Sequence, residues 1–366
     1  MSSPVVSVIC PTFNRSSAIV STIESVTNQS ESDFELVVVL DGCTDDTLEH
    51  VSRIERMDRR VRSIPVRRFG HPSGPRNVGL TEARGEYVAY IDHDDQWTSD
   101  HLSVLKELFS SGESMVSTSH ERVFEDGSVD RPLNPLMLCW HPEIQTVAPL
   151  FQPTTVGHRR GVVEDVGGWR DGPGLEDWDL WFRMTEAGHR FRTSLAVTAR
   201  IFHGMSSRRY RVQRPHRLPL AVFDSPVHVR EALESLRMVA SSREFSDARF
   251  QDSIDWFSRL EDEKDFVKPN GWPEERTVSE MARETLANEP AVWPADMVAV
   301  PFQSKFAVAV NLWCSSEEHA SRIIELNAKC NRRQMAMIAL DSDRFRPVWS
   351  VGNLLAGQGK TEEILK

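Results

Sequence analysis

The sequence predicts a parallel, doubly wound α/β domain followed by a mainly helical region, and three observations carry that expectation. Strand-like and helix-like segments alternate through the first hundred residues, as successive strand-loop-helix units require. An apolar run at residues 86–91 ends directly on Asp92, His93, Asp94 and Asp95. From Pro226 onward the apolar residues recur at helical rather than strand spacing.

The elements follow in chain order. Residues 5–10 are largely β-branched and read as the first strand, with Pro11-Thr12-Phe13-Asn14-Arg15 as its loop. Ser16 or Ser17 can cap a helix whose apolar positions are Ile19, Ile23 and Val26. Residues 34–40 repeat the plan as a second strand, Asp41-Gly42-Cys43-Thr44 is its loop, and a helix from Asp45 carries Leu48, Val51 and Ile54 on one face. Residues 61–66 form a third strand. Pro75 suits the first turn of a helix running to Arg84, and Gly85 suits its end. Ser99 can cap a helix bearing Leu102, Leu105 and Leu108, and residues 115–119 read as a further strand.

Residues 120–153 are harder to read, because Pro132, Pro135, Pro142, Pro149 and Pro153 favour loops, edge strands or a flap. Order returns with a strand at 156–159, a short helix at 161–166 and a Gly167-Gly168-Trp169 turn. Trp178, Trp181 and Met184 then recur at helical spacing, so Asp177 lies near a helix start and Gly188 beyond its end. A strand spans residues 192–202, followed by a basic stretch from His203 to Arg217. Beyond it Val229, Leu233 and Leu236 mark one helix and Phe250, Ile254, Phe257 and Leu260 another. Ala307, Val310 and Leu312 mark a third helical region, and Ile323, Ile324 and Leu326 a fourth. Residues 353–366 faintly resemble a tetratricopeptide helix pair. The domains expected are 1–215 and 220–366.

Composition narrows the function classes. The chain has 366 residues, a net charge of −11 and five cysteines, none in a Cys-x-x-Cys pair. The negative balance argues against nucleic acid as a partner. Reduced thiols, no membrane-length apolar run and no basic, apolar-cored start together give a cytoplasmic expectation. Ligands of open α/β sheets bind outside the carboxyl ends of the strands, where Asp41, Arg76 and the Asp92 cluster all fall. Aspartate oxygens there suit Mg²⁺ or Mn²⁺ carrying a substrate's phosphates. Taken alone, the acidic cluster could equally be turn and cap chemistry, and the Glu176-Asp177 pair ordinary stabilisation of a helix start.

In combination the motifs resemble the inverting nucleotide-sugar glycosyltransferases of family 2, which have the GT-A fold. The resemblance covers roughly residues 4–210 and rests on motifs in the family's order: Val-Ser-Val-Ile-Cys-Pro-Thr-Phe-Asn-Arg from Val6, Val-Leu-Asp-Gly-Cys-Thr-Asp-Asp-Thr from Val39, Gly-Pro-Arg-Asn-Val-Gly from Gly74, Asp-His-Asp-Asp from Asp92, Val-Gly-Gly-Trp from Val166 and Glu-Asp-Trp-Asp-Leu-Trp-Phe-Arg from Glu176. The resemblance implies that Pro11, Thr12, Phe13 and Asn14 wrap a nucleobase and that Asp41 accepts its N–H, which favours uracil or thymine. It implies Arg76 near base and phosphates, and Asp92 near ribose beside His93, which stands at the motif's variable position. Asp94 is implied as the ligand of Mn²⁺ or Mg²⁺, with His203 as a further candidate ligand. Asp177 would be the general base, with Glu176 and Trp178 as acceptor or sugar contacts.

The function expected is therefore metal-dependent, inverting transfer from a UDP- or dTDP-sugar to an acceptor: a peptide, a glycan or a small molecule. The carboxyl-terminal domain would serve acceptor binding or self-association. Two alternatives stand beside it. A nucleotidyltransferase should carry a glycine-rich loop after strand one, and residues 11–15 contain no glycine. A non-catalytic sugar-nucleotide binder would be expected to have lost Asp94 or Asp177, and both are present.

Overall fold

Every residue of the first two strands is buried, which is why they are near-continuous apolar runs rather than alternating ones. The computed structural model describes residues 4–130, 135–172, 174–203, 216–240, 243–286, 297–312 and 314–329. The elements are β1 (Val6–Thr12), α1 (Ala18–Thr27), β2 (Phe34–Asp41), α2 (Thr47–Met57), β3 (Val61–Val66), α3 (Ser73–Glu82), β4 (Tyr87–Tyr90), β5 (Gln96–Trp97) and α4 (His101–Phe109). They continue with β6 (Met115–Phe124), β7 (Val129–Asp130), α5 (Pro142–Val147), β8 (Val156–Arg159), α6 (Val162–Asp165), α7 (Glu176–Glu186) and β9 (Phe191–His203). After these come β10 (His216–Phe223), α8 (Pro226–Ala240), α9 (Arg243–Glu261), α10 (Val278–Leu286), β11 (Met297–Phe302), β12 (Lys305–Leu312) and α11 (Glu317–Lys329).

The chain divides into two compact units, one of residues 1–142, 150–212 and 267–273, the other of 143–149, 213–266 and 274–366. In the first, a nine-stranded sheet runs β3-β2-β1-β4-β8-β6-β9-β5, with β7 on β6 off that path. β1 pairs in parallel with β2 on one side and β4 on the other, so the strand order reverses at β1. The carboxyl ends of β1 and β4 therefore flank the crevice at which such sheets bind ligands. β3 is the outer strand on that side, which suits Pro65, a residue with no N–H to give a further strand. Beyond β4 the sheet is mixed: β8 is antiparallel to β4 and β6, whereas β6 and β9 are parallel.

Two apolar assemblies hold this unit. Ile19, Ile23 and Val26 of α1, Val51 of α2 and Leu102, Leu105 and Leu108 of α4 pack with Leu36 and Val38 of β2, as helical spacing predicts. The second is aromatic: Tyr90, Trp169, Trp181, Phe191 and Phe151 touch in series, with ring centroids 4.7–5.8 Å apart. Residues 120–153 are less loop-like than their prolines suggest. β6 runs on to Phe124, and Leu136, Cys139, Trp140 and Phe151 are buried, so apolar burial outweighs the prolines there.

The second unit contains α8, α9, α10 and α11, and adds an antiparallel sheet in the order β10-β12-β11. The helices expected around Val229, Ile254 and Ile323 are present as α8, α9 and α11. Ala307, Val310 and Leu312 are not helical: they lie in β12, which forms a hairpin with β11 in which Phe302 pairs with Lys305. The two-residue turn is Gln303-Ser304, with Gln303 at φ 53°, and it lacks the Asn-Gly or Gly signature by which such turns are read. Residues 353–366 lie outside the described residues, as do 204–215 of the basic stretch.

One glycine is fixed by close packing. A Cβ on Gly85 would lie 2.6 Å from the backbone N of Ser7 and 2.8 Å from the carbonyl carbon of Val6, so the turn between α3 and β4 must rest directly on β1. Gly85→Ala should cost about 1–3 kcal/mol or more, because backbone rather than a side chain would have to move. Urea denaturation measures it; an unchanged midpoint would show that the turn can shift away.

Candidate active site

The first two strand-end loops are tied to each other. Asn14, in the left-handed region at φ 47°, donates from Nδ2 to Thr44 Oγ1 (3.1 Å) and accepts Thr44 N–H at 2.9 Å. Arg15 N–H donates to Thr47 Oγ1 (2.9 Å) and Ser16 N–H to Asp45 (3.3 Å). Pro11 and Thr12 are buried as the last residues of β1. Phe13 stands beyond them, with the Arg68 guanidinium 3.4 Å over its ring. Asp41, buried at the end of β2, accepts the backbone N–H of Phe69 (2.6 Å) and Gly70 (3.3 Å), and pairs with Arg68.

The acidic loop follows β4. Ile91 still donates its N–H to Ile9, after which the chain leaves the sheet. Asp92 accepts Arg76 Nη2–H at 2.7 Å. Asp94 is partly exposed, 3.4 Å from Arg15, and burial raises its pKa above the ordinary carboxylate value. His93 turns back toward the first loop: Nδ1 is 3.3 Å from Phe13 N and Nε2 is 3.0 Å from Arg15 Nε. A neutral imidazole has one acceptor nitrogen, so only one of these donors can be satisfied at a time. Burial lowers the His93 pKa and favours that neutral form.

Asp95, to which sequence reading gave no separate role, is the buried member of the cluster. It accepts Thr154 Oγ1–H at 2.5 Å and Phe202 N–H at 3.1 Å, and its carbonyl accepts Thr22 Oγ1–H at 2.8 Å. Burial pushes its pKa well up. Thr154 is also 3.3 Å from Asp92 N. Asp95 thus fixes the acidic loop to the end of β9, where His203 is the last described residue before the basic stretch. Nothing local in the sequence marks Thr154, which lies 62 residues from Asp92.

Arg76 joins this loop to α7. It is 2% exposed, its guanidinium lies 4.4 Å over the Trp169 ring, and its Nη1 is 4.0 Å from Glu176 Oε1. Among the described residues its Nε and Nη1 find no hydrogen-bond partner. A buried, charged donor left in that state is suited to donate to a ligand oxygen. Trp169 is held by Asn77, which donates to its carbonyl (2.8 Å) and accepts its N–H (2.9 Å).

Leu175, at φ 64°, turns the chain abruptly into α7, a conformation costing a leucine on the order of 1 kcal/mol. Glu176 and Asp177 then occupy the first helical positions. Asp177 is partly buried, and its Oδ1 accepts the Trp178 N–H at 2.8 Å. Burial, and next the Glu176 charge, raise its pKa to about 6, against the pull of that N–H and of Arg76. Asp179 points elsewhere, as successive helical positions require: it accepts Arg183 Nε–H at 2.9 Å, and Arg183 in turn donates to the carbonyls of Val166 and Gly168. Trp178 corrects an expectation. Its ring has no exposed surface and belongs to the core, so it cannot be an acceptor or sugar contact.

The structure therefore brings Asp92, Arg76, Glu176 and Trp169 together, and separately gathers Phe13, Arg68, Asp41 and Asn14. Among the described residues no three His, Cys, Asp or Glu side chains are grouped to hold a metal. Asp94, partly exposed with Asp92 two residues before it, still fits a hard cation that keeps phosphate and water as its other ligands.

A family model, Glycosyl transferase family 2, matches residues 7–166, a span that takes in Phe13, Asp41, Arg68, Arg76 and the acidic loop and ends before Trp169 and α7. Residues 7–166 are thus similar to the family 2 glycosyltransferases. The nine-stranded sheet is that of the GT-A fold. An uncharacterized glycosyltransferase of Rickettsia felis is 32% identical to this chain over 155 residues, 42% of the chain and 25% of that protein. A GalNAc(5)-diNAcBac-PP-undecaprenol beta-1,3-glucosyltransferase of Campylobacter jejuni is 36% identical over 110 residues, 30% of the chain and 36% of that protein. These alignments span about a quarter to a third of the relatives' own lengths. Among solved structures, S. aureus TarS 1-349 in complex with UDP-GlcNAc aligns at 19% identity over 64% of this chain and 65% of that one, with a TM-score of 0.49. No helix among the described residues is long and apolar enough to cross a membrane.

The Asp177 environment has a measurable consequence. Its folded pKa lies above the unfolded value of about 3.9, so ionising it costs stability; the cost is absent below about pH 4 and complete above about pH 6. Asp177→Asn should therefore stabilise the protein by roughly 1–2 kcal/mol at pH 7.5, after discounting for partial exposure, and not at pH 3.5. Thermal denaturation at the two pH values checks this; equal gains at both would remove the titration as its cause.

Proposed function

We propose that the chain is a metal-dependent, inverting glycosyltransferase that moves a sugar from a UDP- or dTDP-sugar to an acceptor nucleophile, with Asp177 as general base. The observation that supports it best is the pair of carboxylates Glu176 and Asp177 at the head of α7, joined through buried Arg76 to Asp92 of the acidic loop. The nucleobase would lie against Phe13 and Asp41, and Asp92 and Arg76 would face ribose and phosphates. Asp94 would hold Mn²⁺ or Mg²⁺, which offsets the charge that grows on the departing diphosphate.

The protein's own part is positional and protic. Asp177 is ionised at neutral pH yet more basic than an ordinary carboxylate, so it can take the proton of the attacking acceptor group. Attack on the anomeric carbon from the face opposite the diphosphate breaks the bond to the phosphate oxygen and inverts that centre. Glu176 keeps Asp177 basic and lies on the side from which an acceptor or sugar hydroxyl would be held. Asp179 and Arg183 act at a distance, fixing the turn that ends in Trp169.

Two substitutions test the assignment together. Asp177→Asn should lower kcat by about 10²- to 10⁴-fold with donor affinity nearly unchanged, whereas Asp179→Asn should mainly cost stability, roughly 2–4 kcal/mol, through the broken buried pair. Near-normal turnover by the Asp177 variant would remove it as the base. The nucleotide assignment is checked by thermal shift with UDP, dTDP and GDP, each with and without Mn²⁺. A ligand at 100 times its Kd raises stability by about 2.7 kcal/mol, and a clear preference for GDP would overturn the uracil or thymine assignment. Asp94→Asn should abolish the Mn²⁺-dependent part of the shift while leaving the unliganded melting temperature in place.

A further inference from the structure

We propose that Arg68 is a side-chain gate on the nucleobase slot: it occupies both the ring face and the carboxylate that a base would use, and must leave before a nucleotide can enter. The proposal rests on the reading of Phe13 and Asp41 as the base site.

Three observations carry it. The Arg68 guanidinium lies 3.4 Å from the centre of the Phe13 ring, the distance of direct stacking, so that face of Phe13 is covered. The same guanidinium pairs with Asp41 Oδ2, which also receives the Gly70 N–H, so it takes the acceptor site on that oxygen that the backbone leaves. A planar cation that stacks and donates at once makes the two contacts expected of a planar base with a ring N–H. Arg68 is thus an internal mimic of the base.

The backbone beneath it is fixed. A Cβ on Gly42 would meet Arg68 Cβ at 2.9 Å and its Cα and N at 3.0 Å, so the two backbones are in close contact, and Gly42 itself sits at φ +66°. Phe69 and Gly70 N–H hold Asp41 from the same loop. Only the side chain is free to move, and at 42% exposure it has solvent to move into. With Arg68 gone, Asp41 keeps its two backbone donors and regains a lone pair on Oδ2 for the base.

An exposed cation–π contact and a half-exposed ion pair are each modest, so the closed form should be favoured by a factor on the order of ten or less. Apparent affinity falls by the fraction of molecules that are open, and removing the gate should tighten UDP binding about three- to ten-fold. Calorimetric titration of UDP with Mn²⁺ into the native chain, Arg68→Ala and Arg68→Gln reads this directly. Arg68→Ala should bind most tightly, and Arg68→Gln, which can still donate to Asp41, should fall between it and the native chain. Equal or weaker binding by both variants would overturn the gate and make Arg68 a bystander or a direct nucleotide contact. A second measurement needs no variant: phenylglyoxal modification of Arg68, followed by mass spectrometry, should rise when UDP is added, and protection or no change in the presence of bound UDP would overturn the proposal. If no nucleoside diphosphate binds the native chain or either variant, the nucleotide reading itself falls and the gate with it, an outcome distinct from binding that Arg68 does not affect.

Discussion

The candidate site depends on a single buried cation. Arg76 lies between the carboxylate of Asp92 and the side chain of Glu176, with the Trp169 ring against its face. Its charge makes a cluster of acids tolerable at one end of the sheet: without it Asp92, Glu176 and Asp177 would repel across a space of low dielectric. It also fixes distances, because an arginine reached from α3 spans from the β4 loop to α7 and holds each where the other needs it. The polar contacts around it are positional in turn. Asn77 holds Trp169, and Asp179 through Arg183 holds the turn before it.

A second constraint operates at the ends of β1 and β2. Asn14, Thr44, Asp45 and Thr47 cross-link the loops after β1 and β2, so the two strand ends form one surface rather than two mobile loops. Asp95 does the same for the β4 loop, anchoring it to Thr154 and to the end of β9. Rigid loops on a parallel sheet reduce the ordering cost of binding a flexible ligand.

Much of this was legible in the sequence because parallel strands buried on both faces are continuous apolar runs and their helices carry apolar stripes. Asp41, Asp92, Asp94 and Asp177 could be placed at strand or helix ends by the same logic. Partnerships between distant segments could not. Arg68 lies 27 residues from Asp41 and Thr154 59 from Asp95, and no local pattern pairs them. Trp178 was misplaced because an aromatic beside a functional carboxylate reads alike whether it faces a ligand or the core; the helical period alone put it with Trp181. The hairpin of β11 and β12 escaped notice for want of a turn residue that prefers positive φ, since Gln303 gives no such signal.

The division of the chain has a bearing on its synthesis. Residues 267–273 belong to the unit that contains the nine-stranded sheet: Val267 exchanges backbone hydrogen bonds with Trp140, and Asn270 bonds to Thr193 and Leu195. Residues 143–149 meanwhile belong to the other unit. A ribosome releasing the chain from its amino terminus would expose the nine-stranded sheet long before the segment that bridges to Trp140 and β9, so this unit cannot be completed during translation at residue 212. Proteolytic cuts or truncations in the long interval between 212 and 267 would likewise strip the sheet of a contributor while leaving its sequence motifs whole.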